Sequence, residues 1–180
     1  MIQPHIGSFL ISEPFLPDPH FNRTVVLLAD HNESGTIGFV LNQKTVLSVS
    51  DLFDELDIVE PVFLGGPVGQ DSFHYLHQIS QLEGAVSVLP GLYWGGDFEQ
   101  LKVLVNTGIV QANEIRFYLG YSGWGPDQLI GEIDAKSWIV TKGTASLVFE
   151  DHRELWKTAL QQHGGNLSWM SNAPDDVQLN

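Results

Sequence analysis

Short apolar runs separated by turn-forming residues dominate the first quarter of the chain. Residues 7–12 and 24–29 are two such runs, and the proline-rich segment 13–20 between them is unsuited to regular structure because proline lacks a backbone N–H. A third run, residues 36–41, follows the turn sequence Asn-Glu-Ser-Gly at 32–35. We predict three strands here, of which the second and third form a hairpin whose strands are buried on both faces.

Alternation with a period of two and helical spacing predict the remaining elements. Further strands are expected at residues 62–64, 72–79, 85–89, 114–121, 137–140 and 145–149. Helices are expected after a cap at Ser50-Asp51, at 97–105 with Asp97 as the cap, from Pro126 through Ile133, and at 152–163 with Gly164-Gly165 closing it. The chain is predicted to form one domain over residues 1–170, followed by a flexible tail at 171–180.

The order of these elements favours an α+β fold. Strands at hairpin spacing precede isolated helices, without the regular strand-helix alternation of a doubly wound parallel sheet. We therefore expect a mixed, mainly antiparallel sheet. With 180 residues and 43% hydrophobic composition, the chain is long enough to bury one sizeable core.

The negative charge of the chain disfavours nucleic acids and anionic membranes as partners. The 22 acidic and 8 basic residues give a formal net charge of −14. Residues 45–101 carry nine carboxylates and no Lys or Arg, which opposes contact with nucleic-acid phosphates or anionic membranes. The eight cations are scattered and form no visible basic patch; they are Arg23, Lys44, Lys102, Arg116, Lys136, Lys142, Arg153 and Lys157.

Composition also bears on the compartment. The chain has no cysteine, so disulfides, thiolate nucleophiles and cysteine-ligated metals do not arise. Its N-terminal stretch has no basic residue before Arg23, unlike a secretory leader, and no apolar run reaches the roughly 20 residues that cross a bilayer. We expect a soluble, cytoplasmic protein.

Several ordered sequence blocks resemble the AlgH/YqgE family of bacterial proteins, across roughly residues 7–165. The blocks are Phe21–Leu28 with His31, Gly35, Gly38 and Val40–Asn42; Leu64–Val68 with Leu76 and His77; Gly120–Trp124 with Gln128, Leu129, Glu132, Ile133 and Trp138; and Leu155, Trp156, Ala159 and Leu160. A lone Gly-Gly-Pro would be weak, but this ordered set is highly specific.

The resemblance implies a single compact α+β domain, with a bulged, mostly antiparallel sheet and flanking helices. It implies no activity and no cofactor, and we assign no catalytic residue. One branch of the family carries the label of a transcriptional regulator of alginate production, which would imply a DNA or protein partner. Because the charge opposes DNA, a protein partner of unknown identity is the expectation.

One position departs from the family pattern as we expect it. Asp127 stands where we expect the family to carry glycine, in the Trp-Gly-Pro-Asp-Gln block. We therefore expect ordinary negative φ at Asp127, in the first turn of the helix that begins at Pro126. Its carboxylate would lie at the mouth of any pocket under this loop, which disfavours an anionic ligand.

The spacing of the histidines favours neither a metal site nor a catalytic triad. His74 and His77 form His-x-x-His, but on a strand they point to opposite faces, so we expect no metal site. Asp30 and His31 could form part of a triad, yet adjacent strand residues diverge and no Gly-x-Ser-x-Gly elbow is present. A turn-capping role for His31 is favoured.

Glycine-rich loops are the remaining candidate for a binding site. Loops 65–69 and 91–96 could join the loop at 123–125 to line a cleft for a small ligand. The alternative, which we favour, is that these glycines serve turns and bulges while the aromatic residues fill the core. The candidate binding residues are Asn42, Gly65, Gly66, Pro67, Gly123, Trp124, Gln128 and Glu132.

Three functional classes remain. A regulatory or protein-binding protein without enzymatic activity is the leading hypothesis, and a small-molecule binder or enzyme that uses loops 65–69 and 120–128 is the alternative. An enzyme would need at least two perturbed ionisable groups in one pocket, so dispersal of His31, His74 and Glu132 would count against it. A direct DNA-binding regulator conflicts with the charge.

Overall fold

The fold is built from ten strands, five α-helices and one 3-10 turn in the residues that the structure describes. The computed structural model describes residues 2–151 and 153–163. The strands are β1 (Ser8–Ser12), β2 (Val25–Asn32), β3 (Gly35–Val40), β4 (Lys44–Ser48), β5 (Pro61–Leu64), β6 (Val68–His77), β7 (Val86–Leu89), β8 (Leu92–Trp94), β9 (Ile115–Trp124) and β10 (Trp138–Lys142). The helices are α1 (Val49–Leu52), α2 (Phe98–Asn106), α3 (Gln128–Asp134), α4 (Ala145–Val148) and α5 (Leu155–His163), and the 3-10 turn is Ala112–Glu114.

The strands form a curled, almost entirely antiparallel sheet. Its main path runs in the order β10-β1-β2-β3-β9-β6-β8-β7, and β5 branches from β9 and carries β4. The pairing of β5 with β9 is parallel, and the other recorded pairings are antiparallel. The α+β class, the single compact domain and the mostly antiparallel, bulged sheet with flanking helices are confirmed. None of the described helices is long and apolar enough to span a bilayer.

Strand β9 joins the two halves of the sheet. Its first part lies between β5 and β6, whereas its last three residues pair with Thr36–Gly38 of β3. Gly120 lies at the change of partner and has a φ of +66°, a left-handed conformation that favours glycine. The left-handed residue shifts the alternation of side chains along β9: Tyr118 and Tyr121, three residues apart, both pack against the same core cluster.

Close backbone packing explains the glycines that lie next to Gly120. Gly65 and Gly66 cross β9 so closely that a Cβ atom on Gly65 would lie 2.4 Å from the carbonyl oxygen of Gly120. The Gly65 amide donates to the Leu119 carbonyl, and the Gly65 carbonyl accepts from the Val40 amide, both at 2.8 Å. These glycines therefore join three strands through backbone contact.

Three clusters of buried side chains form the core. One packs α4 and α5 on the sheet face that carries Phe9, Leu27 and Phe39. A second lies beneath α1 and α2, and a third packs α3 on the opposite face of β1, β2 and β3. The expectation that the hairpin strands are buried on both faces is confirmed for residues 25–29 and 38–41, but not for the start of β3, where Ile37 is only partly buried.

Several element predictions need correction. Residues 145–149 were expected as a strand, but residues Ala145–Val148 form α4, because a short apolar run fits a buried helix turn equally well. The first helix is capped by Ser48 and ends at Leu52, so the expected cap at Ser50-Asp51 is wrong. Strands β4 and β8 were not predicted. The helix predicted at 152–163 is α5, which begins at Leu155.

Other predictions fall outside the described residues or are confirmed. The Gly164-Gly165 helix end, the domain limit at residue 170 and the tail at 171–180 lie outside the residues that the structure describes. The cap of α2 is confirmed, because the Asp97 side chain accepts a hydrogen bond from the Gln100 amide at 2.7 Å.

Replacing Gly65 with alanine tests the close crossing. Gly65 does not have positive φ, so Gly65→Ala adds only steric clashes, with the Gly120 carbonyl and the Phe39 ring, and we expect it to lower the free energy of unfolding by about 3 kcal/mol. The control is Gly91→Ala, where φ is +79° but no atom lies within 4 Å of the added Cβ. We expect about 1 kcal/mol for this variant from backbone strain alone. Urea denaturation of both variants measures the difference, and equal losses would contradict the steric explanation.

Candidate binding groove beside Trp124

A single carboxylate fastens α3 to the sheet. Oε2 of Glu132 accepts hydrogen bonds from the indole Nε1 atoms of Trp124 (2.9 Å) and Trp138 (2.8 Å). Its other oxygen, Oε1, accepts from the Gln128 side-chain amide at 3.0 Å. Since Trp124 lies on β9 and Trp138 on β10, one helix residue joins two strands that are not neighbours in the sheet. Hydrogen bonds to a charged acceptor are stronger than neutral ones.

Aromatic packing supports the same carboxylate. The Phe21 ring stacks on Trp124 with centroids 6.2 Å apart, and it meets Trp138 edge to face at 5.3 Å. The side chain of Gln128 reaches back to accept from the Gly125 amide at 2.9 Å, which fixes the loop between β9 and α3. Gln128 and Glu132 are therefore engaged in holding the loop and helix, and so is the indole N–H of Trp124.

The conformation of Asp127 corrects an expectation. Asp127 has a φ of +59° and occupies the cap position before α3, which begins at Gln128. The expected negative φ within the first helical turn is therefore wrong. Aspartate tolerates the left-handed region better than most residues, which explains why it can stand where glycine was expected.

An open groove lies on the sheet face opposite α3, and we call it the Gly123 groove. Three residues in a row across β2, β3 and β9 form part of it, because Asp30 pairs with Ile37 and Ile37 pairs with Gly123. Val68 of β6 pairs with Tyr121 and completes the apolar wall. The groove has a volume of about 410 Å³. Its lining consists of Asp30, Asn32, Ser34, Gly35, Thr36, Ile37, Val68, Tyr121, Gly123 and Trp124.

Glycine at position 123 keeps this groove open. A Cβ atom there would lie 3.4 Å from the Tyr121 ring and 3.7 Å from a Val68 methyl, which are ordinary van der Waals distances. Gly123 does not have positive φ, so its backbone would accept a side chain. The fold therefore tolerates a larger residue at this position, whereas the groove would lose volume.

A smaller cavity lies beside the groove, past the turn between β2 and β3. It is lined in part by His31, Glu33, Asp127 and Leu129 and has a volume of about 230 Å³. The His31 ring bonds the Thr36 hydroxyl at 2.7 Å, across the hairpin, as a turn-stabilising residue does. Neither cavity has a Lys or Arg in its lining, and Asp30, Glu33 and Asp127 make this end of the molecule acidic.

The structure brings together only part of the predicted binding set. Gly123 and Trp124 line the groove, and Gln128 and Glu132 are bonded to Trp124 or its loop. Gly65 and Gly66 lie against β9 in backbone packing, and Pro67 is the exposed residue that follows them. Loop 91–96 lies at the other end of β9, because Gly95 and Gly96 bond side chains near the end of β6.

Asn42 has a structural environment of its own. Its side-chain oxygen accepts from the Val25 amide at 3.0 Å, and its amide group donates to the Arg23 carbonyl at 2.8 Å. Arg23 has a φ of +50°, so Asn42 holds a strained turn at the start of β2. It does not line the Gly123 groove.

The histidines and Glu132 are dispersed. His74 lies on β6 among Phe39, Trp94 and Tyr121, and burial lowers its pKa. His31 bonds Thr36, and Glu132 bonds the two indoles. His31, His74 and Glu132 are thus engaged in separate contacts and are not brought together.

Residues Asp30, Ile37, Val68 and Tyr121 were missed as groove residues. Their contact depends on the strand register, on the bulge between Leu28 and Asp30 and on the left-handed conformation of Gly120. A period-two pattern shows which residues share a strand face, but it does not show which strands are neighbours.

Comparison with known proteins decides the family. A family model described as AlgH-like (DUF179) matches residues 9–168. A UPF0301 protein of Chlorobaculum tepidum is 43% identical over 179 residues, covering 97% of this chain and 95% of that protein. The chain belongs to the AlgH-like family. A UPF0301 protein of Cytophaga hutchinsonii is similar to this AlgH-like chain at 44% identity over 178 residues, covering 97% of the chain and 98% of that protein.

Solved structures share the AlgH-like fold. A crystal structure of a Corynebacterium diphtheriae protein has a TM-score of 0.79 at 22% identity, covering 94% of this chain and 93% of that one. The solution structure of AlgH from Pseudomonas aeruginosa has a TM-score of 0.72 at 25% identity, covering 98% of this chain and 100% of that one. The resemblance found in the sequence is thereby confirmed.

Removing the Glu132 carboxylate should destabilise the protein. Trp124 and Trp138 are only 5% and 4% exposed, so Glu132→Ala leaves two buried indole donors unpaired. We expect a loss of about 3 kcal/mol in the free energy of unfolding, at roughly 1 to 3 kcal/mol for each orphaned donor. Asp134→Ala, an exposed change on the same helix, is the control and should cost under about 0.5 kcal/mol. Urea denaturation followed by tryptophan fluorescence measures both, and similar losses would contradict the role of Glu132.

His77 should make stability depend on pH. Its Nδ1 accepts from the Ile79 amide at 3.1 Å and its Nε2 donates to the Gly95 carbonyl at 2.7 Å, so the buried ring is neutral. Burial lowers the pKa of His77 below its ordinary value of 6.5, although the Gly95 bond acts in the opposite direction. As pH falls below that value the unfolded chain binds the proton first, and the free energy of unfolding decreases.

Denaturation between about pH 7.5 and about pH 5.5 measures this effect. We expect His77→Gln to have a smaller dependence of stability on pH than the unchanged protein over that range. An unchanged slope would show that His77 does not contribute.

Proposed function

We propose that this AlgH-like protein is a cytoplasmic, non-enzymatic regulatory protein that binds a protein partner through the Gly123 groove. The observation that carries the proposal is an open groove with an apolar wall, with Asp30 and no Lys or Arg in its lining, beside a cavity that contains Glu33 and Asp127. A basic protein segment with one or two apolar side chains has the complementary chemistry.

The apolar part of the groove continues a core face. Phe39 is fully buried on β3, and Ile37, two residues earlier on the same face, is only partly covered. Val68 is 39% exposed, and the next three residues of β6 are exposed too. An apolar surface open to solvent beside polar residues is typical of a protein-binding site.

The charges favour one kind of partner. Asp30 lies in the groove, and Glu33 and Asp127 lie in the cavity next to it. The whole chain carries a net charge of −14, so a basic segment would be attracted from a distance as well as held at the rim. The same charge opposes direct DNA binding, and regulation would act through the bound protein.

Synthetic peptides test this function. The probe is a nine-residue peptide with a central Leu-Phe pair flanked by Lys and Arg, titrated into labelled protein and followed by NMR. We expect shifts at Ile37, Val68 and Gly123. One control peptide replaces Leu-Phe with Ser-Ser, and a second replaces the cations with Glu. Both should bind at least tenfold more weakly because each lacks one half of the complementarity.

Matched glycine variants locate the binding. Gly123→Leu should fill the groove and reduce peptide affinity at least tenfold, and Gly123→Ala should have a smaller effect in the same direction. Gly131→Ala on α3 is the control, because no atom lies within 4 Å of its added Cβ. The proposal would be overturned if the peptide shifted NMR signals outside the groove. It would also be overturned if the unchanged protein and the three glycine variants bound the peptide with equal affinity. Groove shifts caused only by a small uncharged ligand would favour the alternative of a small-molecule binder.

A further inference from the structure

Strand β10 has one side without a neighbouring strand in the part of the chain that the structure describes. It ends the main path of the sheet and pairs with β1 alone. The Glu13 amide donates to the Ser137 carbonyl at 3.0 Å just before β10, and the Gly143 amide donates to the Gly7 carbonyl at 3.1 Å just after it. Bonded positions alternate along an antiparallel pair, so every second residue between Ser137 and Gly143 bonds β1.

The other residues of β10 direct their backbone groups away from β1. These residues are Trp138, Val140 and Lys142, and we call the row of their outward N–H and C=O groups the β10 edge. Within residues 2–151 and 153–163, these backbone groups have no hydrogen-bond partner. An open row of this kind is a template on which another extended chain can pair.

A cavity of about 270 Å³ lies along the β10 edge. The side chains of Trp138 and Val140 pack under α3 and are only 4% and 7% exposed, so these residues offer a bound molecule their backbone groups. Ile2 is 46% exposed and supplies apolar surface. The described lining consists of Ile2, Ile133, Lys136, Trp138, Ile139, Val140 and His163.

The walls of this cavity favour a single extended segment over a second copy of the chain. Ile133 of α3 and His163 of α5 both line it, and these helices pack on opposite faces of the sheet, so the edge lies in a recess. The β10 edge of a second copy would be recessed in the same way, which keeps the two edges apart. Two copies that each carry a net charge of −14 also repel one another.

Cations lie at both ends of the β10 edge. Lys136 precedes β10 by two residues, and Lys142 is its last residue. Both are exposed, and neither forms an ion pair with a described residue. The described lining of the cavity contains no Asp or Glu, and Asp134, the carboxylate closest to Lys136 along the chain, does not belong to it. The charge at this edge therefore complements an acidic segment, in contrast to the acidic surface beside the Gly123 groove.

We propose that the β10 edge binds an extended, acidic segment of a partner protein as an added strand. The segment exchanges backbone hydrogen bonds with Trp138 and Val140, and its small apolar side chains at alternate positions lie in the cavity. Carboxylates six residues apart in the segment meet Lys136 and Lys142. This site is distinct from the Gly123 groove and does not rest on the function proposed for that groove.

A designed peptide and two controls test the proposal. The probe is acetyl-Glu-Thr-Val-Thr-Val-Thr-Glu-amide, whose two Glu residues match the spacing of Lys136 and Lys142 in either strand direction. One control peptide is methylated at the backbone nitrogens of both Val residues, and the other has Lys in place of both Glu residues. Titration into labelled protein, followed by NMR, should shift the signals of Ile139, Val140 and Lys142. We expect each control to bind about tenfold more weakly, because it lacks either the backbone donors or the complementary charge.

Amide hydrogen exchange reports the backbone pairing directly. In the free protein we expect the amides of Val140 and Lys142 to exchange about tenfold faster than those of Ile139 and Thr141, because only the latter two bond β1. Saturation with the probe should slow the amides of Val140 and Lys142 and leave those of Ile139 and Thr141 unchanged.

Two charge variants test the ends of the bound segment. Lys136→Gln and Lys142→Gln should each weaken the probe about threefold, as the loss of one exposed ion pair implies. Lys44→Gln is the matched control, since it removes an exposed strand cation that does not line this cavity, and it should leave the affinity unchanged. The signals of buried residues show that each variant is folded.

Each outcome supports or overturns the proposal. Protection of Val140 and Lys142 by the probe, lost with the methylated peptide, supports it. Equal binding of the methylated peptide, equal binding of the Lys peptide, or no shifts with the probe at millimolar concentration would overturn it. Equally slow exchange of all four amides in the free protein would also overturn it, because a second copy or another part of the chain would then already occupy the edge. The signals of Gly123 should not move with this probe, so the two sites are tested separately.

Discussion

The close contact between the Gly65-Gly66 pair and β9 is the constraint on which the rest of the structure depends. At this crossing β9 leaves β5 and β6 and joins β3, and the left-handed conformation of Gly120 shifts the alternation of its side chains. Tyr121 and Gly123 therefore face the groove, whereas Trp124, at the edge of the groove, packs its side chain against α3. A side chain at Gly65 would push β9 away from the Gly65-Gly66 segment. Both the groove and the face that packs on α3 would then be displaced.

Glu132 fixes the position of α3 on the sheet through hydrogen bonds. It was a candidate for ligand binding, and its oxygens are occupied by two indole N–H groups and one amide. A residue that is prominent in a family motif can thus serve the fold, while the neighbouring glycine, Gly123, keeps a surface accessible. The polar residues of a motif are not by themselves a binding site.

Most helices and strands could be predicted from the sequence. The residues that line the candidate site were predicted only in part. Apolar runs located β1 and β2 because residues 8–12 and 25–29 are buried on both faces, and they located β3 although Ile37 is only partly buried. The run at 145–149 failed because four or five apolar residues fit a strand or a helix turn equally well. Asp127 failed because its φ depends on the loop that Gln128 fixes. The position of β10 at the edge of the sheet depends on strand order, which no local pattern contains.

The length of β9 has a consequence for communication between its two ends. Arg116 and Gly123 are seven residues apart, which is on the order of 20 Å along an extended strand. Electrostatic screening at physiological ionic strength acts over about 8 Å, so a charge at one end is not felt at the other. Any coupling must therefore be mechanical, carried by a sliding or twisting of this one strand, and the left-handed Gly120 within it is where such a movement would be absorbed.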